Sequence, residues 1–118
     1  MAAVKAHADA VQLLLERGAA VNARNAFGFA PLHMAAHNDP SARCVSLLVY
    51  GGADVDAANR FGRTPLHYAA ECGNEAALRA LLAAGARRRV NDDEGRAPID
   101  VAKTDAARRL LAPEPLYP

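Results

Sequence analysis

Thirteen carboxylates, four histidines and two cysteines are the side chains with which this chain could do chemistry. His37 and Glu71 each follow an Ala-Ala pair by one place, and Cys72 comes directly after Glu71. Helices carrying these positions side by side at ordinary packing distance would bring the three groups within about 10 Å, a conceivable divalent-metal site. They lack the pairwise ligand spacing of zinc motifs, so solvated polar side chains are the preferred reading and no metal is assigned. No glycine-rich loop ending in Gly-Lys-Ser or Gly-Lys-Thr is present to cradle a phosphate. Neither a nucleophile elbow nor a Cys/His signature of covalent catalysis occurs. The chain therefore reads as non-catalytic, with no cofactor and no small-molecule substrate. Cys44 and Cys72 form no CxxC pair or disulfide framework, and read as reduced thiols acting as small buried hydrophobes in an intracellular, cytoplasmic or nuclear, protein.

The elements that must position these residues follow from composition and repetition. At 118 residues the chain suffices for one domain, and its 14 basic and 13 acidic residues leave a net charge of +1. No overall field favours nucleic acid or an anionic membrane. Only Lys5 and Lys103 are lysines; the remaining basic residues are arginines, which suit forked and stacked contacts. Hydrophobic residues reach 52% while aromatics reach only 5%, with no Trp. Alanine makes up much of the difference, as expected of closely packed helices. No apolar stretch approaches the ~20 residues of a membrane span, and Met1-Ala2-Ala3-Val4-Lys5 does not resemble a signal peptide.

A period of 34 and then 33 residues separates Gly28, Gly62 and Gly95, each followed three places later by Pro31, Pro65 or Pro98. Gly18, Gly52 and Gly85 form a second series, ten residues ahead of the first. A period of this length decides architecture by itself. Proline at a first helical position has its φ already set and lacks the N–H that would go unpaired, and Thr64 before Pro65 offers an N-cap oxygen. The segments from Pro31 and Pro65 are thus predicted to begin helices. Their Ala-Ala pairs admit a neighbouring helix, and Leu47-Leu48 and Leu81-Leu82 mark the buried face of a second helix in each unit. Gly18, Gly52 and Gly85 then end that helix in a left-handed turn.

Gly62-Arg63-Thr64-Pro65-Leu66-His67 with Ala69-Ala70, Gly73, Leu81-Leu82 and Gly85-Ala86, together with Gly52-Ala53-Asp54-Val55-Asp56-Ala57, resemble the ankyrin repeat family over residues 1 to about 112. The resemblance implies an all-α solenoid of stacked helix-turn-helix pairs with projecting β-hairpin loops, about three and a half repeats long. It also implies partner binding through the hairpin tips and concave face. His33 and His67 then hold the turn backbone and link units rather than catalyse.

The units divide into a truncated repeat at 1–24, mainly an outer helix from Asp9 to Arg17, then repeats at 25–58 and 59–91. A shortened C-terminal cap at 92–112 and a Pro-rich unstructured tail at 113–118 complete the chain. The chain starts inside a repeat, so a longer parent protein is expected. One extra residue near Asn38-Asp39-Pro40-Ser41 enlarges an inter-helix loop. Ala30 and Ala97 replace Thr64, an expected loss of a cap worth about 1 kcal/mol each. Arg88 stands in register with Val21 and Val55, which makes the third hairpin the least regular.

Specificity should reside where the repeat needs no packing: at hairpin tips with Arg24, Asn25, Phe27, Arg60, Phe61, Arg63, Asn59, Arg88, Asp92 and Arg96, and on the inner helices with His37, Asn38, Glu71 and Cys72. Phe29, at the repeat position that Arg63 and Arg96 occupy in the later units, is the expected exposed apolar anchor. Arg24, Arg60, Arg63, Arg87, Arg88, Arg89 and Arg96 could form a basic strip for an acidic or phosphorylated ligand and, less favoured, nucleic acid. Asp92, Asp93 and Glu94 interrupt it. A protein-interaction module, part of a scaffold or adaptor, is the leading reading. The alternative is a stand-alone inhibitor like the small ankyrin-type cyclin-dependent-kinase inhibitors, whose second unit has a shortened first helix where Pro31 to His37 here is full length.

Overall fold

A computed structural model describes residues 21–38 and 41–112. The expected outer helix at Asp9 to Arg17, the turn at Gly18, the loop residues Asp39 and Pro40, and the tail from Pro113 lie outside the described residues. Six helices occur among the described residues: α1 (Pro31–Asn38), α2 (Arg43–Tyr50), α3 (Pro65–Cys72), α4 (Glu75–Ala83), α5 (Pro98–Val101) and α6 (Asp105–Leu111). They pair as α1–α2, α3–α4 and α5–α6. The first members stack as an inner row, α1 on α3 on α5, and the second as an outer row, α2 on α4 on α6.

The alanines dictate that stacking. Leu32, His33, Ala35 and Ala36 are the buried face of α1, and Leu66, His67, Ala69 and Ala70 repeat it on α3. With only a methyl at two of every four contact positions, neighbouring inner helices approach closely. Cys44, Val45 and Leu48 of α2 and Ala77, Leu78 and Leu81 of α4 face inward from the outer row. Leu32, Leu66, Leu78 and Leu81 are fully buried, each contributing about 1.5–3 kcal/mol of apolar transfer.

The outer helices α2 and α4 end where their glycines predict. Gly52 and Gly85 take φ 96° and 91°. The N–H groups of Ala53 and Ala86 donate to Leu48 O and Leu81 O, while those of Gly52 and Gly85 donate to Val49 O and Leu82 O, satisfying the last carbonyls.

Helix starts differ from expectation. Thr64 gives no side-chain cap to the α3 backbone; its Oγ1 lies 3.0 Å from His67 Nδ1. The side chain at the third helical position closes each start instead. His33 Nδ1 accepts from Ala30 N–H at 3.0 Å, His67 Nδ1 from Thr64 N–H at 3.0 Å, and Asp100 Oδ2 from Ala97 N–H at 2.9 Å. Alanine at positions 30 and 97 therefore forfeits little.

The connection carrying the extra residue reaches α2 through Ala42, which adopts φ 60°, whereas the tighter connection before α4 uses Gly73 at φ 71°. Asn74 after it accepts from Ala77 N–H and donates Nδ2 to Ala36 O at 3.1 Å, tying α4 to the end of α1. In the last unit the inner helix stops after four residues, and Thr104 caps α6 by accepting from Ala107 N–H. Arg88, irregular in sequence, lies half-buried and donates Nη1 to Ala112 O at the end of α6, an arginine meeting a helix C-terminus.

Candidate interaction surface

The projecting loops are tight turns, and no β-strand forms among the described residues. Each closes the same way: Gly28, Gly62 and Gly95 donate to the carbonyls of Asn25, Asn59 and Asp92. The side-chain oxygens of those three residues accept from the N–H groups two and four places on: Phe27 and Phe29, Phe61 and Arg63, Glu94 and Arg96. Tip links to tip, because Arg60 N–H donates to Phe27 O at 3.0 Å and Asp93 N–H to Phe61 O at 2.9 Å. Gly62 is obligatory here: its φ is 72°, and a Cβ would lie 2.6 Å from Asp93 Oδ1 and 2.9 Å from Asp93 N.

Behind the tips, two histidines bolt unit to unit. His33 Nε2 is 3.0 Å from Arg63 O and His67 Nε2 is 2.9 Å from Arg96 O. Since the carbonyl can only accept, the proton sits on Nε2 and leaves Nδ1 free to accept from the turn backbone. Burial pushes both imidazoles below the usual 6.5, so they are held neutral.

Arg63 spans two units. Its Nη1 is 2.7 Å from Glu71 Oε2, its Nε is 3.4 Å from Asp92 Oδ2, and its guanidinium lies 5.4 Å over the Tyr68 ring. Burial works against its charge, but the hydrogen bonds and charges of Glu71, Tyr68 and Asp92 together outweigh this and raise its pKa. The Arg63 hydrogen bond likewise holds Glu71 below the ordinary carboxylate value. Burial pushes Asp92 up, yet the N–H groups of Arg96 and Glu94 and the Arg96 charge prevail and keep it low.

A family model for ankyrin repeats (3 copies) matches residues 1–94 and 32–114. The chain belongs to the ankyrin-repeat family. A comparison with curated proteins returned no match. Ankyrin repeats are generally protein-protein interaction modules and typically non-catalytic. Among the described residues no helix is long and apolar enough to cross a membrane, and no three His, Cys, Asp or Glu side chains are grouped to hold a metal ion.

On this ankyrin stack the sequence-nominated residues separate into two groups. Phe27, Phe61 and Met34 are 58%, 51% and 44% exposed, with Arg24, Arg60, His37 and Asn38 also open to solvent. Arg24 reaches across to Ala58 O at 2.8 Å, and His37 Nδ1 lies 3.0 Å from Asn38 Oδ1. The carbonyls of Phe27 and Phe61 connect the tips, and the Phe61 ring also packs edge-on against Phe29 of the preceding unit.

The second group is committed to the scaffold. Phe29 is half-buried rather than an exposed anchor, its ring 5.5 Å from Tyr68, 5.7 Å from His33 and 6.3 Å from Phe61. Asn25, Asn59 and Asp92, nominated for partner contact, close their own turns. The arginine strip is broken up, since Arg63 is bound by Glu71 and Asp92, Arg88 by Ala112 O, and Arg96 by Asp92 and Glu94. Cys44 is buried as expected, but Cys72 is exposed, its thiol 3.6 Å from the carbonyls of Ala36 and Ala69 and raised in pKa by burial of the sulfur environment.

Sequence reasoning passed over Met34 and Tyr68. Together with Phe29, His33, His37 and Asn38 they line a groove of about 280 Å³ between α1 and α3. Their signal was present in the register: Met34 and Tyr68 share the position that follows Pro-Leu-His, where neither unit places a small residue. A larger hollow of about 610 Å³ continues beneath the inter-helix turns, lined by His37, Cys72, Asn74, Glu75 and Thr104 among others.

Proposed function

We propose that this chain is a non-catalytic interaction module of an intracellular scaffold or adaptor, holding a partner protein across its turn tips and inner helices. One observation carries this reading: Phe27, Phe61 and Met34 stay exposed beside Arg24 and Arg60, while the polar backbone of the turns is already satisfied from within. Phe61 packs edge-on against Phe29 yet keeps 51% of its surface open, and aromatic and arginine side chains supply much of the energy of interfaces. The eight-residue α1 speaks against the alternative kinase-inhibitor reading, which rests on a shortened helix there.

The test is affinity capture of partners with the wild-type chain, the Phe27→Ala/Phe61→Ala variant and a Tyr50→Ala control, all confirmed as folded by circular dichroism. Tyr50 is 93% exposed on the outer row. A discrete partner retained by the wild type and the control but lost by the tip variant is the expected result. A partner lost with Tyr50→Ala and kept by the tip variant would place binding on the opposite surface.

A further inference from the structure

The groove between α1 and α3 is small and one-sided in charge. Its volume of about 280 Å³ falls below the ~300–1,000 Å³ of small-molecule sites, and suits one large apolar side chain of a chain-like partner. Phe29, Met34 and Tyr68 supply its walls, and His37 lines both it and the larger hollow beyond, so the two form one track along the inner row. The charges at the tip end differ from those at the far end. Arg24 donates Nη1 to Ala58 O at 2.8 Å, next to Asn59, whose Nδ2 donates to the hydroxyl of Tyr68 on the groove wall, and Arg60 stands exposed on that same tip. Glu71 and Asp92 are already held by Arg63, whose guanidinium lies over the Tyr68 ring. At the third tip Asp93 is exposed while Glu94 pairs with Arg96, and at the start of α4 Glu75 is exposed.

We propose that this groove takes a single large apolar side chain of an acidic, extended segment of a partner protein, whose carboxylates lie over Arg24 and Arg60. The inference rests on the interaction-module reading and adds the chemistry of the partner. Arginine offers a carboxylate two parallel donors, and a bond across a desolvated groove mouth is stronger than one in open solvent. Asp93 on the third tip sets the polarity, repelling the acidic part of the segment from that end.

A random-peptide phage library selected on the full chain tests the class directly. The enriched sequences are then synthesised with a fluorescent label and titrated against wild type, Met34→Asp, Arg24→Glu/Arg60→Glu and Asp93→Lys. Positions 24, 34, 60 and 93 are exposed, so these variants should fold, and circular dichroism checks that they do. Acidic peptides sharing one aromatic or large aliphatic residue are expected. Their affinity should fall about tenfold or more in Met34→Asp and in the arginine variant, and rise in Asp93→Lys. Basic or uncharged peptides that still depend on Met34 would overturn the acidic class while leaving the face as the docking surface. Peptides indifferent to Met34, or no enrichment at all, would overturn both. A single-stranded RNA oligonucleotide binding more tightly than any selected peptide, and through Arg24 and Arg60, would replace the protein segment with nucleic acid.

Discussion

His33 and His67 do their work as neutral rings. Each accepts from a helix start and donates to the next unit, so a second proton on Nδ1 breaks the first of these bonds. Their folded-state pKa values are lowered by burial from the usual 6.5. Above pH 6.5 the folded and unfolded chains both leave them neutral, and their contribution is whole. Below it the unfolded chain takes up protons that the folded chain refuses, so stability falls as pH drops from 6.5 toward the folded values. Urea midpoints at pH 7.5 and 5.5 should show this loss; equal midpoints would contradict the neutral-ring assignment. Asp92 acts in a separate, lower window, its stabilisation beginning to fade only near the ordinary 3.8 and below. Asn74 is the other residue whose role is measurable alone. Asn74→Ala removes the α4 cap and leaves Ala36 O without its Nδ2 donor, an expected cost of about 1–3 kcal/mol in urea unfolding.

At the scale of the elements, the turn ladder explains which glycines are interchangeable. Gly62 and Gly85 both need positive φ, but only Gly62 faces another backbone, with Asp93 N 2.9 Å from where a Cβ would stand; Gly85 has nothing within 4 Å. Gly85→Ala should therefore cost about 1–2 kcal/mol, the left-handed penalty alone. Gly62→Ala should cost clearly more and also weaken the bond from Asp93 N–H to Phe61 O. Equal losses in denaturant titrations would mean that tip-to-tip contact is unimportant. The helices were legible in the sequence because proline, paired alanines and glycine recur in phase, each with a local backbone reason. The hairpin interiors were not. Asn25, Asn59 and Asp92 read as free polar tips because a side chain bonding its own turn looks, in sequence, like one offered to solvent. Arg63 misled similarly, since its partners Glu71 and Asp92 lie eight and 29 residues away. Arg88 looked like a broken register until α6 brought Ala112 O beneath it.

Among the described residues the helix pairs stack each on the next, bound by the inner-row alanines, the two histidine bolts and the linked tips. Such coupling between so few units should give one cooperative unfolding transition, followed equally by circular dichroism and tyrosine fluorescence. Separate transitions would mean that the bolts couple units weakly. On the tips and inner row of the described residues, the side chains left most open are Phe27, Phe61 and Met34 with Arg24, Arg60, His37 and Asn38. Repeat phase showed where this surface lies but not its contents, because partner-binding residues are by nature the ones the repeat does not dictate. The most direct measurement of the central claim places a photo-crosslinking amino acid at position 34, on the groove, and separately at position 50, on the outer row. With partner protein present, crosslinking is expected from position 34 and not from position 50. Crosslinking from position 50 alone would contradict the assignment of the tips and inner helices as the binding face.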